Sequence, residues 1–265
     1  MNILKKNMEY IYSKYNKYNL IHPDPLEFLY NYKDNRDIEI VGLIASALAY
    51  GRVAQILKSI DKILSPMGAS PYSYIVKNNL QQFEKDFENF KHRFTTEEDI
   101  INLLHGIKDA INKYDSIQSC FISCYTKNDK TYAPALEIFT NILNKYFANK
   151  TSYLLPSPKN GSACKRLMLY LRWMIRDDHV DTGCWKNLPA NKLIIPLDTH
   201  MYFISKSLNF TTRKSANMKT AIEITDEFKK IDKNDPVKYD FSLTRFGIRD
   251  DFEYHHLFTE LTQKF

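Results

Sequence analysis

Apolar residues recur at three- and four-residue spacing along almost the whole chain, and runs with a period of two are scarce. Such spacing stacks side chains on one face of an α-helix and leaves little material for a sheet, so an all-α fold is expected. Val53, Ile56, Leu57, Ile60, Ile63 and Leu64 form one stripe; Ile100, Leu103, Leu104, Ile107, Ala110 and Ile111 form another. Thr95 with Glu98 three residues later reads as a capping box opening the second. A third stripe runs from Leu136 to Phe147 behind Pro134, a residue suited to a first helical turn. The stretch Ile38 to Ala49 is apolar on every side, which predicts a central helix wrapped by others. It is too short to span a bilayer and holds Glu39 within it.

Further along, Leu167, Tyr170, Leu171, Met174 and Ile175 give the inner face of a helix ending near Arg176. A polar connection without a clear period, Asp177 to Leu193, follows. Asp198 opens the next helix, with Met201, Ile204 and Leu208 inward. Another carries Ala221, Ile222, Thr225, Phe228 and Ile231, and a segment from Phe241 to Phe246 is expected to stop at Gly247. There is no internal repeat and no long linker, so the 265 residues read as a single unit able to bury a core without disulfides. Cys120, Cys124, Cys164 and Cys184 form no Cys-x-x-Cys pair and no secretion signal precedes them, which predicts reduced thiols in a soluble, cytoplasmic protein. The net charge of +6 is compatible with a phosphate-bearing partner without requiring one.

One position runs against helix design. Lys165 falls in the first turn of its helix, at the positive end of the dipole and beside Arg166, where an acidic residue would be more stabilising. The turn ahead of it, Leu155 to Lys165, and the turn Pro196 to His200 each feed a helix, and backbone N–H groups at such starts can hold a phosphate. A lysine in that position can serve as a nucleophile. Asp198, at an N-cap, can stabilise positive charge developing on a sugar while it caps the helix.

These residues resemble the helix-hairpin-helix DNA glycosylases of the endonuclease III and 8-oxoguanine glycosylase type. Gly161-Ser-Ala-Cys-Lys165 is similar to the family's Gly-x-Gly-x-Lys hairpin, and Leu197-Asp-Thr-His200 to its apolar-Asp-x-His motif. Glu39 to Arg52 looks like its early buried helix, which ends at a DNA-facing loop. Within that superfamily the chain looks most like a bacterial branch of conserved proteins of unknown function. Ala163 replaces the second hairpin glycine, Ser157 to Asn160 reshape the approach, the Lys165–Asp198 spacing is longer than usual, and no cysteine follows Cys184 to build an iron-sulfur loop.

The resemblance implies two helical lobes, about 42–140 and about 1–41 plus 141–265, around a central cleft. It implies a monomer that needs no cofactor or metal and acts on damaged double-stranded DNA, with oxidised purines such as 8-oxoguanine as the first expectation. The nucleotide would be flipped into the cleft. Lys165 and Asp198 would be the catalytic pair of a bifunctional glycosylase and lyase. Gly161, Ser162, Ala163, Tyr50, Arg52, Arg166, Arg172, Trp185 and His200 would contact DNA or base. In this reading Tyr50 is the wedge that fills the gap and Trp185 stacks on the flipped base or closes the pocket, while His200 is a structural hydrogen-bonder. Lys159, Arg166, Arg172, Arg176 and Arg245 are the candidate phosphate contacts. Asp177, Asp178, His179 and Asp181 fit a solvated connection better than a metal site. His255 and His256 read as surface residues and Cys164 as a buried filler. Two rivals remain open: the same pair acting on a nucleoside or RNA, and a non-catalytic module that recognises DNA structure.

Overall fold

A computed structural model describes residues 3–148, 152–249 and 251–262. The first helix, α1 (Ile3–Tyr15), is followed by a 3-10 segment over Pro25–Asn31 and by α2 (Asn35–Ala47). Asp34 starts α2 by accepting a hydrogen bond from the Arg36 amide, and every residue from Asp37 to Ala47 is buried. The all-round apolar pattern thus gives the central helix, one turn longer at its start than the apolar run because the cap lies in polar sequence.

Next come α3 (Val53–Leu64), α4 (Pro71–Lys77) and α5 (Leu80–Asp86), then a hairpin of β1 (Lys91–His92) with β2 (Thr95–Thr96). Thr95 belongs to this hairpin and is buried, so the expected capping box moves on by one residue: Thr96 and Asp99 form it at the start of α6 (Glu97–Tyr114). The helices α7 (Ile117–Cys124) and α8 (Ala133–Leu143) follow. The stripe expected to reach Phe147 breaks at Leu143 into a 3-10 turn. There α6 approaches so closely that a Cβ on Gly106 would lie 2.1 Å from the Leu143 carbonyl oxygen.

The second half holds α9 (Lys165–Ile175), α10 (Thr199–Ser207), α11 (Met218–Ile231), α12 (Asp240–Ile248) and α13 (Tyr254–Thr262). Gly247 does not end its helix but lies inside α12. It is small because a Cβ there would stand 2.1 Å from both His200 Nδ1 and the Tyr254 hydroxyl. The fold is all-α. The helices α4 to α8 pack on one another; α12 gathers α1, α10 and α13; and α2 lies between, against α4, α7 and α9. Among the described residues no helix is long and apolar enough to cross a membrane.

The polar connection after α9 is not a solvated loop. Gly183 and Trp185 donate their amides to the Trp173 and Met174 carbonyls, folding the chain back along the end of α9. Asp181 is buried there and accepts from Arg172 and Arg176, while Asp178 accepts the Val180 and Asp181 amides. Asp177 and His179 are the exposed members.

Candidate functional site

The turn into α9 is built from two left-handed residues, Gly161 at φ +75° and Cys164 at φ +47°. Glycine takes this conformation freely, whereas a cysteine there is strained. Ser162 pairs with Asn217 in an isolated bridge, and the Gly161 carbonyl accepts the Met218 amide. The turn is therefore clamped to the start of α11. Its entry from the N-terminal side is a 3-10 turn, Pro158–Asn160, in place of a regular helix. The Cys164 thiol, buried, donates to the Pro156 carbonyl. Lys165 is the first residue of α9 as a result, with its side chain about one-third exposed.

Asp198 caps α10. Its Oδ1 accepts the Met201 amide at 2.7 Å, and its Oδ2 lies 3.5 Å from Lys165 Nζ. Two hollows meet at this pair. The inner one, of about 290 Å³, is floored by α12 and reaches Arg172, Asp240 and Arg245; the outer one runs past Tyr50 and the Ser162 turn. The inner hollow is at the small end of the range of ligand pockets, roughly 300–1,000 Å³.

Charge in the inner hollow is almost balanced by pairs. Arg172, buried, donates to Asp181 and Asp240, and Arg245, also buried, reaches Asp24 at 2.7 Å. Burial pushes the Asp240 carboxyl up to about 6, against the pull of Arg172 and with the help of Asp198. Burial also lowers the Arg245 guanidinium, which Asp24 opposes. Asp240 Oδ1 and Arg245 Nε have no hydrogen-bond partner within the protein. One wall is thus left with an acceptor and a donor unsatisfied. His200, half-buried on the same wall, shares a 2.7 Å hydrogen bond between its Nδ1 and the Tyr254 hydroxyl, next to Gly247.

Several residues expected at a nucleic-acid interface are buried. Arg172 borders the inner hollow, but its guanidinium is buried in ion pairs and presents no free face to a phosphate. Arg176 is likewise buried, among Asp178, Asp181 and Asp235, and Arg245 is held by Asp24. Trp185 does not face either hollow: it is buried against Phe121 and Tyr170 and donates Nε1 to Glu39 at 2.8 Å. Local sequence does not separate the two cases, because a polar or aromatic residue between apolar ones reads equally as a surface group or as a buried, paired one.

Arg166 faces the outer hollow, with its guanidinium bound to the Ala47 and Tyr153 carbonyls. Tyr50 borders both hollows, yet its hydroxyl is tied to the His92 carbonyl and Thr95 Oγ1. Those two contacts fix the ring expected to act as the wedge. Arg52 and Lys159 are exposed, Lys159 being 4.0 Å from Glu137; Ala163 is buried, and Gly161 and Ser162 are exposed. His255 and His256 are exposed on α13. Among the described residues no three His, Cys, Asp or Glu side chains gather as a metal site.

Three carboxylates were missed. Glu39, deep in α2, accepts the Ile117 and Gln118 amides at the start of α7 as well as Trp185 Nε1. Burial raises it to about 7, with those donors pulling the other way. A single acid within the apolar run Ile38 to Ala49 was its signal. Asp24, between two prolines, and Asp240, between Tyr239 and Phe241, carried the same signal more faintly.

A family model described as "Protein of unknown function (DUF2400)" matches residues 24–249, a span holding Lys165, Asp198 and every residue lining the two hollows but Pro23. No curated protein and no solved structure matches the chain.

Proposed function

The chain belongs to that family of unknown function, and from the site its residues build we propose a DNA glycosylase with an associated abasic-site lyase activity. The observation that carries this reading is the 3.5 Å approach of Lys165 Nζ to Asp198 Oδ2 where two hollows join. An amine and a carboxylate so placed suit nucleophilic displacement at a sugar carbon. The resemblance of the two turns to glycosylase motifs supplies the substrate: damaged duplex DNA, with an oxidised purine such as 8-oxoguanine as the excised base.

In this mechanism Nζ first gives a proton to water, so that Asp198 stays ionised beside it. The Nζ lone pair then bonds to C1′ while the C1′–N bond breaks and its electron pair departs with the base. The carboxylate stabilises the positive charge that builds on the sugar. Opening of the C1′–O4′ bond, with O4′ taking a proton, leaves a Schiff base. Loss of a C2′ proton then expels the 3′ phosphate.

Borohydride reduction during turnover tests the proposal. Wild-type protein mixed with an 8-oxoguanine duplex should give a covalent complex, and Lys165→Gln should give none. No complex across a panel of oxidised, deaminated and abasic duplexes would overturn it.

A further inference from the structure

The hairpin of β1 and β2 turns through Arg93, at φ +53°, and Phe94. Phe94 is 68% exposed, the most of the large apolar side chains described. A ring held at a loop tip in water gains nothing for folding. It does not stand alone. Tyr153, 54% exposed, meets Phe94 edge-on at 5.8 Å and Tyr50 at 5.0 Å between ring centroids. The Arg166 guanidinium lies 4.7 Å from the Tyr153 ring and 4.9 Å from the Tyr50 ring, and that of Arg93 lies 5.6 Å from Phe94.

A ridge of rings and guanidinium groups therefore runs from the hairpin tip to the mouth of both hollows. Its inner end is fixed by the Tyr50 hydroxyl contacts to His92 and Thr95. Its outer end is pressed against the turn after α2, since a Cβ on Gly51 would stand 2.8 Å from Arg93 Cδ. Arg52 and Arg93 are exposed and have no carboxylate partner among the described residues. Exposed aromatic faces interleaved with unpaired cations match the π-faces and phosphates of a strand whose bases are not paired.

We propose that Phe94 and Tyr153 stack on unpaired bases of a nucleic-acid strand, with Arg52 and Arg93 taking the adjoining phosphates. This goes beyond the glycosylase reading, which gives the ridge its place beside the Lys165–Asp198 pair but is not needed for the binding itself. Both rings are exposed, so their removal leaves the fold intact.

Fluorescence anisotropy with a labelled single-stranded oligodeoxynucleotide, the same sequence as RNA, and a blunt duplex of equal length tests it. Wild type should bind the single strands more tightly than the duplex. Phe94→Ala with Tyr153→Ala should weaken single-strand binding about fivefold or more, with unchanged thermal unfolding and little change for the duplex. Arg52→Ala with Arg93→Ala should flatten the salt dependence. An equal loss on DNA and RNA strands supports the ridge. Wild-type affinity in the double ring variant, or a duplex bound more tightly than the single strands, overturns it. Strand binding through the rings without any borohydride-trapped complex would sink the glycosylase proposal alone.

Discussion

The two oxygens of Asp198 serve different partners, and this makes its roles separable. Oδ1 accepts the Met201 amide and Oδ2 faces Lys165. Asparagine caps a helix about as well as aspartate but carries no charge. Asp198→Asn should keep stability within about 0.5 kcal/mol while base release from lesion DNA falls on the order of a hundredfold. Asp198→Ala should lose the same activity and about 1 kcal/mol of stability as well. Equal base release by Asp198→Asn and wild type would leave the aspartate a cap only. Lys165 was legible in the chain because a cation in a first turn breaks a local rule. The anchored hydroxyl of Tyr50 was not, since its partners His92 and Thr95 lie about forty residues away.

At the level of elements, Glu39 joins three that the sequence lists far apart: α2, the start of α7, and the returning chain at Trp185. Its carboxyl titrates from the usual 4.5 to about 7 on folding. Between those values the folded chain keeps a proton that the unfolded chain has released, so the contribution of Glu39 falls as pH rises through this window and is flat above it. Glu39→Gln cannot release that proton. Its stability relative to wild type should improve by roughly 1–3 kcal/mol from pH 5 to pH 8 in urea unfolding. A difference that is constant or opposite in sign would refute the assignment. Helix positions themselves were readable: α3 begins and ends with its stripe, Val53 to Leu64. The course of α12 through Gly247 was not, because the demand for a missing Cβ comes from His200 and Tyr254 on other helices.

Across the whole molecule, a buried charge network ties distant segments together. Asp181 accepts from Arg172 and Arg176; Arg172 also reaches Asp240, Arg176 reaches Asp235, and Asp178 accepts the Tyr12 hydroxyl of α1. Asp181→Ala takes one carboxylate from each of two buried guanidinium groups, which keep Asp240 and Asp235, and should cost about 1–3 kcal/mol, seen as a lower urea midpoint. A midpoint like that of wild type would mean that water replaces the carboxylate. The sequence by itself determined the all-α class, the buried α2 and the two helix starts bearing Lys165 and Asp198, because periodicity, caps and dipole ends act within one or two turns of chain. Only the tertiary structure decided that Lys165 and Asp198 face each other, that Arg172, Arg176 and Arg245 are buried, and that the Phe94 ring is left outside. Those outcomes depend on which charge or ring the fold brings alongside, and Arg245 meets Asp24 across 221 positions of chain, a distance no local spacing encodes.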